Sequence, residues 1–264
     1  MIEAFYNLKK LPFQKNINTK EIYISSAGKE LSQRLEYMKQ KRGMLLITGL
    51  PGTGKTLHTR VLVENLNQNH YKSIYIPLST VNTIDFYRQL AVSLGGTSHW
   101  KKSQLFQSIQ KSIKNYVENN KKIPVIILDE MHLSRNEHFQ ELQIITNFNY
   151  DSQDPALFIM IGQPHLRDRL LSPIHQSFNQ RITLKFNLTP LTSQETSEYI
   201  KHHLNLAGYQ KLLFNENAVN VIFKNSNGIP RIINTLSIKT MTIGALEKKE
   251  LLSEEEVYRA SKEL

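Results

Sequence analysis

The sequence contains no cysteine in its 264 residues. That excludes a disulfide framework, a thiolate metal site and a cysteine nucleophile. Long hydrophobic runs are also missing. The most apolar stretches, Pro124 to Leu128 and Ala156 to Gly162, have the length of buried strands, whereas a membrane-spanning helix needs about 20 residues. The opening residues, Met1-Ile2-Glu3-Ala4-Phe5-Tyr6, put an acid where a secretory leader carries positive charge, and no apolar stretch follows. No internal repeat and no low-complexity linker is present. Acidic residues are the scarcer sign, 23 against 33 Lys and Arg, a net charge of +10. These absences set the expectation of a soluble, cytoplasmic protein with no membrane partner. The basic excess sets the expectation of a polyanionic partner, nucleic acid above all.

Short apolar runs alternate with amphipathic stretches. The spacing of Leu31, Leu35 and Met38 predicts a helix over 28–40. Strands are predicted over 44–48, 73–76, 124–128, 157–161 and 182–186. Helices are predicted between them, over 55–69, 83–94, 103–119 and 136–148. The unbroken run Val125-Ile126-Ile127-Leu128 suits a parallel strand buried on both faces. Strands alternating with helices indicate an α/β fold, a three-layer αβα domain with a parallel five-stranded sheet. After Pro190 the strand signal stops, and 193–206, 216–224, 230–246 and 253–262 read as helices. The expected domains are therefore 1–187, with an N-terminal extension, and an all-helical lid over 188–264.

Gly49-Leu50-Pro51-Gly52-Thr53-Gly54-Lys55-Thr56 matches G-x-x-x-x-G-K-[ST] in full, behind an apolar strand and ahead of a helical pattern. The glycines let backbone N–H groups face a phosphate, and the helix N-terminus adds a positive end. The segment Gly49 to Leu57 is thus expected to bind ATP, with Lys55 reaching the β/γ-phosphates and the Thr56 hydroxyl ligating Mg²⁺. Asp129 and Glu130 end an apolar strand. Asp129 is placed to hold Mg²⁺ through a water, and Glu130 to polarise the attacking water as a base. A protein that only binds nucleotide has no need of the second acid, so ATP hydrolysis to ADP and phosphate is expected. Asp129-Glu130-Met131-His132 also spells a helicase-like D-E-x-H. A two-lobed helicase requires a second lobe of the same kind, which the remaining residues do not supply, so His132 is expected to be a polar loop residue.

Three further polar residues stand at informative places. Gln163 follows the fourth strand, where ligands of parallel sheets sit, and could touch the γ-phosphate or the attacking water. Arg181 lies just before the fifth strand, and phosphoryl transfer gains much from an arginine supplied by a neighbouring subunit. Arg231 opens a C-terminal helix behind Pro230, a residue favoured at the first helical position.

Together these pieces resemble the AAA+ ATPases, and more closely the ExeA group, which includes transposition helper ATPases similar to TniB and TnsC. The resemblance spans nearly the whole chain. It rests on Phe5-Tyr6-Asn7-Leu8, Leu11-Pro12-Phe13 and Tyr23-Ile24-Ser25, then the phosphate loop and Leu128-Asp129-Glu130. Ile161-Gly162-Gln163-Pro164, Gln180-Arg181-Ile182, Leu188-Thr189-Pro190-Leu191 and Tyr199 to Leu204 follow, and Gly228-Ile229-Pro230-Arg231-Ile232-Ile233-Asn234 closes the pattern. The resemblance implies Phe13 and Tyr23 near the adenine, Gln163 at sensor 1, Arg181 as the finger and Arg231 at sensor 2.

Secretion-pathway members of the group carry a membrane span and a cell-wall-binding module after the ATPase domain. These 264 residues contain neither, which turns the expectation toward the mobile-element branch. The implied function is an ATP-dependent regulator of transposition that oligomerises as a ring or helical filament on double-stranded DNA. It recruits a transposase and a target-selection adaptor, and hydrolysis disassembles it. Lys101, Lys102, Lys111 and Lys114, beside Trp100, are the expected DNA contacts, because lysines on phosphates give sequence-tolerant binding. An assembly ATPase of a secretion or envelope system and a helicase-loading replication ATPase are the alternatives.

Overall fold

A computed structural model describes residues 2–77 and 81–263. In chain order the elements are α1 (Ile2–Phe5), α2 (Ser26–Lys41), β1 (Gly43–Thr48), α3 (Lys55–Asn65), β2 (Tyr71–Pro77), α4 (Thr83–Ser93), α5 (Lys102–Glu118) and β3 (Ile123–Asp129). There follow α6 (Asn136–Ile145), β4 (Leu157–Gly162), α7 (Pro164–Leu170), α8 (Gln176–Arg181), β5 (Ile182–Asn187), α9 (Ser193–Leu206), α10 (Glu216–Ser226), α11 (Pro230–Leu246) and α12 (Glu254–Ser261). The chain divides into two compact units. One comprises Glu30–Gly49 and Lys55–Leu188, the other Met1–Lys29, Leu50–Gly54 and Thr189–Leu264.

The first of these units is built on a five-stranded parallel sheet in the order β2-β3-β4-β1-β5. Strand composition follows position. All six residues of β1 and of β4 are buried, as is β3 after its first residue. Those central strands are covered on both faces, which is why they read as unbroken apolar runs. The edge strands β2 and β5 keep several side chains in water, so their sequences are mixed. The core joins Leu46, Ile126, Leu128 and Met160 of the sheet to Phe86, Tyr87, Phe139 and Phe178 of the helices. Between β4 and β5 the chain forms α7 and α8, two short helices that the periodicity of the sequence does not announce.

The second unit is helical. Its core gathers Tyr6 and Phe13 from the N-terminal segment with Tyr199, Ile200, Phe214, Ile222, Ile233, Leu236 and Val257. Local chemistry fixes the helix starts. Thr192 with Glu195, and Ser253 with Glu256, form reciprocal caps at α9 and α12, each side chain satisfying a helix-end or cap N–H. Residues 1–29, which the sequence pattern assigns to the sheet domain, group with these helices. The turn into α11 needs glycine: Gly228 has φ of +71°, and a Cβ there would lie 1.9 Å from the Leu191 carbonyl oxygen. No helix among the described residues is long and apolar enough to cross a membrane.

Candidate functional site

The parallel register brings three strand ends together. Thr48 at the end of β1 pairs with Gly162 at the end of β4, and Leu128 of β3 pairs with Met160 of β4. The phosphate loop leaves β1, Asp129 ends β3, and Gln163 follows β4. Ligands of open parallel sheets bind at such carboxyl ends.

Asp129 is the hub. It is 4% exposed, and its two oxygens are used differently. The Thr56 hydroxyl donates to Oδ2 at 2.8 Å and the Tyr75 hydroxyl donates to the same oxygen at 3.0 Å. Oδ1 accepts the Glu130 N–H at 2.8 Å. Residues 73 positions apart in sequence thus meet in a hydroxyl–carboxylate pair. Hard oxygen donors of this type suit Mg²⁺, which takes one or two protein ligands and completes its shell with phosphate oxygens and water. The Lys55 ammonium donates to the Gly49 carbonyl at 2.8 Å. It is thereby held at the mouth of the loop. Tyr75 carries no motif signal. Burial first, then the neighbouring Asp129 charge, push its phenol up to about 12, so it remains a donor.

The middle of the loop, Leu50 to Gly54, belongs to the helical unit. Gly52 and Gly54 have φ of +84° and +100°, backbone that turns successive N–H groups in a way side chains resist. A Cβ on Gly52 would lie 2.7 Å from Arg231 Cβ, and the Arg231 N–H donates to the Gly52 carbonyl at 3.3 Å. The Gly-x-Pro-Arg turn therefore packs directly on the loop, with the Arg231 side chain exposed beside it. The Thr53 hydroxyl donates to the Leu50 carbonyl at 2.9 Å, bracing Pro51 between them. In the same unit the buried Phe13 ring stacks on His203 at 5.2 Å, and the Tyr23 hydroxyl donates to Glu198 at 2.7 Å.

Glu130 stands in left-handed backbone, φ 56° and ψ 31°. That conformation costs a non-glycine residue about 1 kcal/mol or more. Its side chain is 54% exposed and lies 3.4 Å from His132 Nδ1. Gln163 Nε2 is 2.8 Å from His132 Nε2. His132, expected to be an ordinary loop residue, is instead buried between these two groups, 7% exposed.

Arg181 is elsewhere. It ends α8 at the start of β5, whose Ile182 pairs with Met44 near the start of β1. Met44 and Thr48 are four residue steps apart along the strand, so Arg181 lies at the other end of the sheet, roughly 13 Å along β1 from the phosphate loop. Its guanidinium donates to Asp151 at 2.6 Å. The four lysines are exposed. Lys102 pairs with Glu141 and lies 5.5 Å from the centre of the Tyr87 ring. Trp100 is 89% exposed, with the Arg88 guanidinium 5.8 Å from its ring centre.

Comparisons with known proteins fit this geometry. The family model described as AAA domain matches residues 38–170. General secretion pathway protein A of Aeromonas hydrophila is 28% identical over 239 residues, 89% of this chain and 43% of that protein. ORC1-type DNA replication protein 1 of Sulfurisphaera tokodaii is 28% identical over 180 residues, 66% of this chain and 44% of that protein. The chain thus spans less than half the length of both curated relatives. Among solved structures, Cdc6p from Pyrobaculum aerophilum superposes with a TM-score of 0.71 at 14% identity, covering 94% of this chain and 71% of that one.

Proposed function

The chain belongs to the AAA family, as an AAA+ ATPase of the ExeA group, and from that premise we propose that it is an ATP-hydrolysing assembly switch. The observation that carries the reading is the Thr56 hydroxyl donating to Asp129 at 2.8 Å at the root of the phosphate loop. ATP·Mg²⁺ would be held by the backbone N–H groups of Gly52 to Leu57, by Lys55 on the β/γ-phosphates, and by Thr56 and Asp129 on the metal. The bound ion supplies charge neutralisation between the phosphates. Glu130 accepts the proton of the attacking water, and Gln163 orients that water or the γ-phosphate. The motif resemblance assigns Arg231, whose N–H meets the Gly52 carbonyl, the sensor-2 role, and Phe13 and Tyr23 the adenine. Arg181 serves the site of a neighbouring copy, since its own chain holds it at the far end of the sheet.

The partner assembled by this switch is best read as a protein machine of the kind General secretion pathway protein A is named for. A second reading, double-stranded DNA, is favoured by the net charge of +10 and by a relative named a DNA replication protein. Recruitment of a transposase and a targeting adaptor is a special case of that second reading. It rests on the motif pattern of the ExeA group.

Titration of ATP·Mg²⁺ into the protein, with phosphate release measured in parallel, tests the core claim. Binding is expected, and Lys55→Ala is expected to abolish it. An absence of binding heat in the unmutated protein overturns the reading. The partner is decided by DNA affinity with a non-hydrolysable ATP analogue at two salt concentrations. A steep fall with salt, by the counterion rule, supports DNA. No affinity at low salt leaves the protein-assembly reading.

A further inference from the structure

We propose that His132 is a positioning residue for ATP hydrolysis, aiming the Glu130 carboxylate according to whether Gln163 is engaged. This deepens the proposed function and rests on Glu130 acting as the base.

An amide nitrogen only donates, so the 2.8 Å contact from Gln163 Nε2 makes His132 Nε2 an acceptor. Burial holds the imidazole below its ordinary pKa, with the Glu130 charge opposing more weakly. The neutral ring then carries its proton on Nδ1. That atom points toward Glu130 Oε2 at 3.4 Å and makes no hydrogen bond within normal range. The result is a line of polar groups from Gln163 through the ring to Glu130, with the last link left long.

The surroundings hold the ring in that line. The Arg169 guanidinium, on the helix that begins right after Gln163, donates to the His132 carbonyl at 3.0 Å. It also donates to the Ser134 carbonyl at 2.8 Å and to Asn136 Oδ1 at 2.9 Å. His165, also on that helix, packs edge-on against the His132 ring at 5.1 Å. Gly162 permits the approach: a Cβ there would sit 2.5 Å from Leu166 Cδ2 and 3.4 Å from the His132 backbone nitrogen. His132 is thus fixed at its backbone and its ring by one strand end and one helix. Glu130 is held at its backbone too, its carbonyl accepting the Leu133 N–H at 2.9 Å, but not at its side chain. Its backbone is left-handed, its N–H is spent on Asp129, and its half-exposed side chain meets His132.

A Gln163 amide that turns to a γ-phosphate must leave His132 Nε2. Releasing that bond frees the ring to close the 3.4 Å gap and fix the carboxylate. The link therefore makes the base ready only when triphosphate occupies the loop.

Steady-state ATP hydrolysis by the full chain with Mg²⁺ tests this. His132→Ala is expected to lower kcat by about tenfold, in the range of a misplaced catalytic group, with KM for ATP within twofold of normal. His132→Asn places an amide nitrogen where Nδ1 was and is expected to recover most of that loss. Gln163→Ala removes the group that orients the water as well as the contact that holds the ring, so it is expected to lower kcat by itself, and His132→Ala on that background is expected to lower it again, because the freed ring still serves Glu130. A normal kcat in both His132 variants, or a KM that rises in step with the loss of kcat, overturns the proposal. Should His132→Ala fail to fold, His132→Phe, which keeps a ring but no donor, is expected to show the same loss of kcat, and a normal kcat there overturns the proposal. Glu130→Gln separates the levels: if it still turns over ATP normally, the role of Glu130 falls and this inference with it. If it is inactive while the His132 variants are normal, only this inference falls.

Discussion

The two ends of the parallel sheet are built to different rules. At the carboxyl ends of β1, β3 and β4, groups distant in sequence satisfy one another. Thr56 and Tyr75 donate to Asp129, and Lys55 donates to Gly49. At the amino end of β5, Arg181 pairs with a loop acid, Asp151. The first end gathers these donors and acceptors within one chain. The second offers a guanidinium that, among the described residues, sits four strand positions from the phosphate-loop end of β1. A parallel sheet separates the ends by its strand length, so an arginine there reaches a nucleotide only if that nucleotide belongs to another copy.

The largest test of this contrast is Arg181→Ala. Hydrolysis is expected to fall by about 10³-fold, the scale of a missing arginine finger, while ATP affinity stays near normal by titration. Mixing Arg181→Ala protein with Glu130→Gln protein should restore part of the turnover, since some interfaces then pair an intact base with an intact arginine. Failure of mixed samples to exceed either parent would place Arg181 outside the neighbour's site. Glu130→Gln alone is expected to lower kcat by about 10²-fold, the usual scale for a general base, with ATP binding retained.

Smaller effects sharpen the first end. Tyr75→Phe removes one of two hydroxyl donors to Asp129 Oδ2. A hydrogen bond to a charged group is worth about 1.5–3 kcal/mol at most, and Tyr75 is half exposed. A severalfold change in the Mg²⁺ concentration for half-maximal hydrolysis is expected, with little change in kcat at saturation. The smallest effect is Asp151→Asn. An exposed ion pair contributes about 0–1 kcal/mol, so thermal stability should barely move. Turnover should become half-maximal at a lower protein concentration, because Arg181 is no longer held within its own chain.

The phosphate loop, Asp129 and Gln163 could be read from sequence because each is a local pattern: a glycine spacing, an apolar run that ends in acids, a polar residue after a strand. The expected helices over 83–94, 103–119, 193–206 and 230–246 match α4, α5, α9 and α11 within a residue or two for the same reason. Tyr75 and Arg169 were not legible. Tyr75 lies on an edge strand among mixed residues, and only strand pairing brings Pro77 level with Asp129 and the phenol onto its carboxylate. Arg169 lies on a seven-residue helix, too short to show periodicity, and its acceptors are two carbonyls and a side chain, none visible in a residue pattern.

The residue order by itself determined the kind of chemistry. Glycines at the loop positions, a lysine and threonine after them, and a carboxylate pair behind an apolar run leave little else that fold could hold. Tertiary structure alone decided who works with whom. The parallel register put Thr56 against Asp129 and set Arg181 at the far end of the sheet, and α7 closed on the residues after β3 to bury His132 between Gln163 and Glu130. Those are contacts between residues 30 or more positions apart, and strand pairing and packing, unlike helix or turn formation, are not encoded in neighbouring residues.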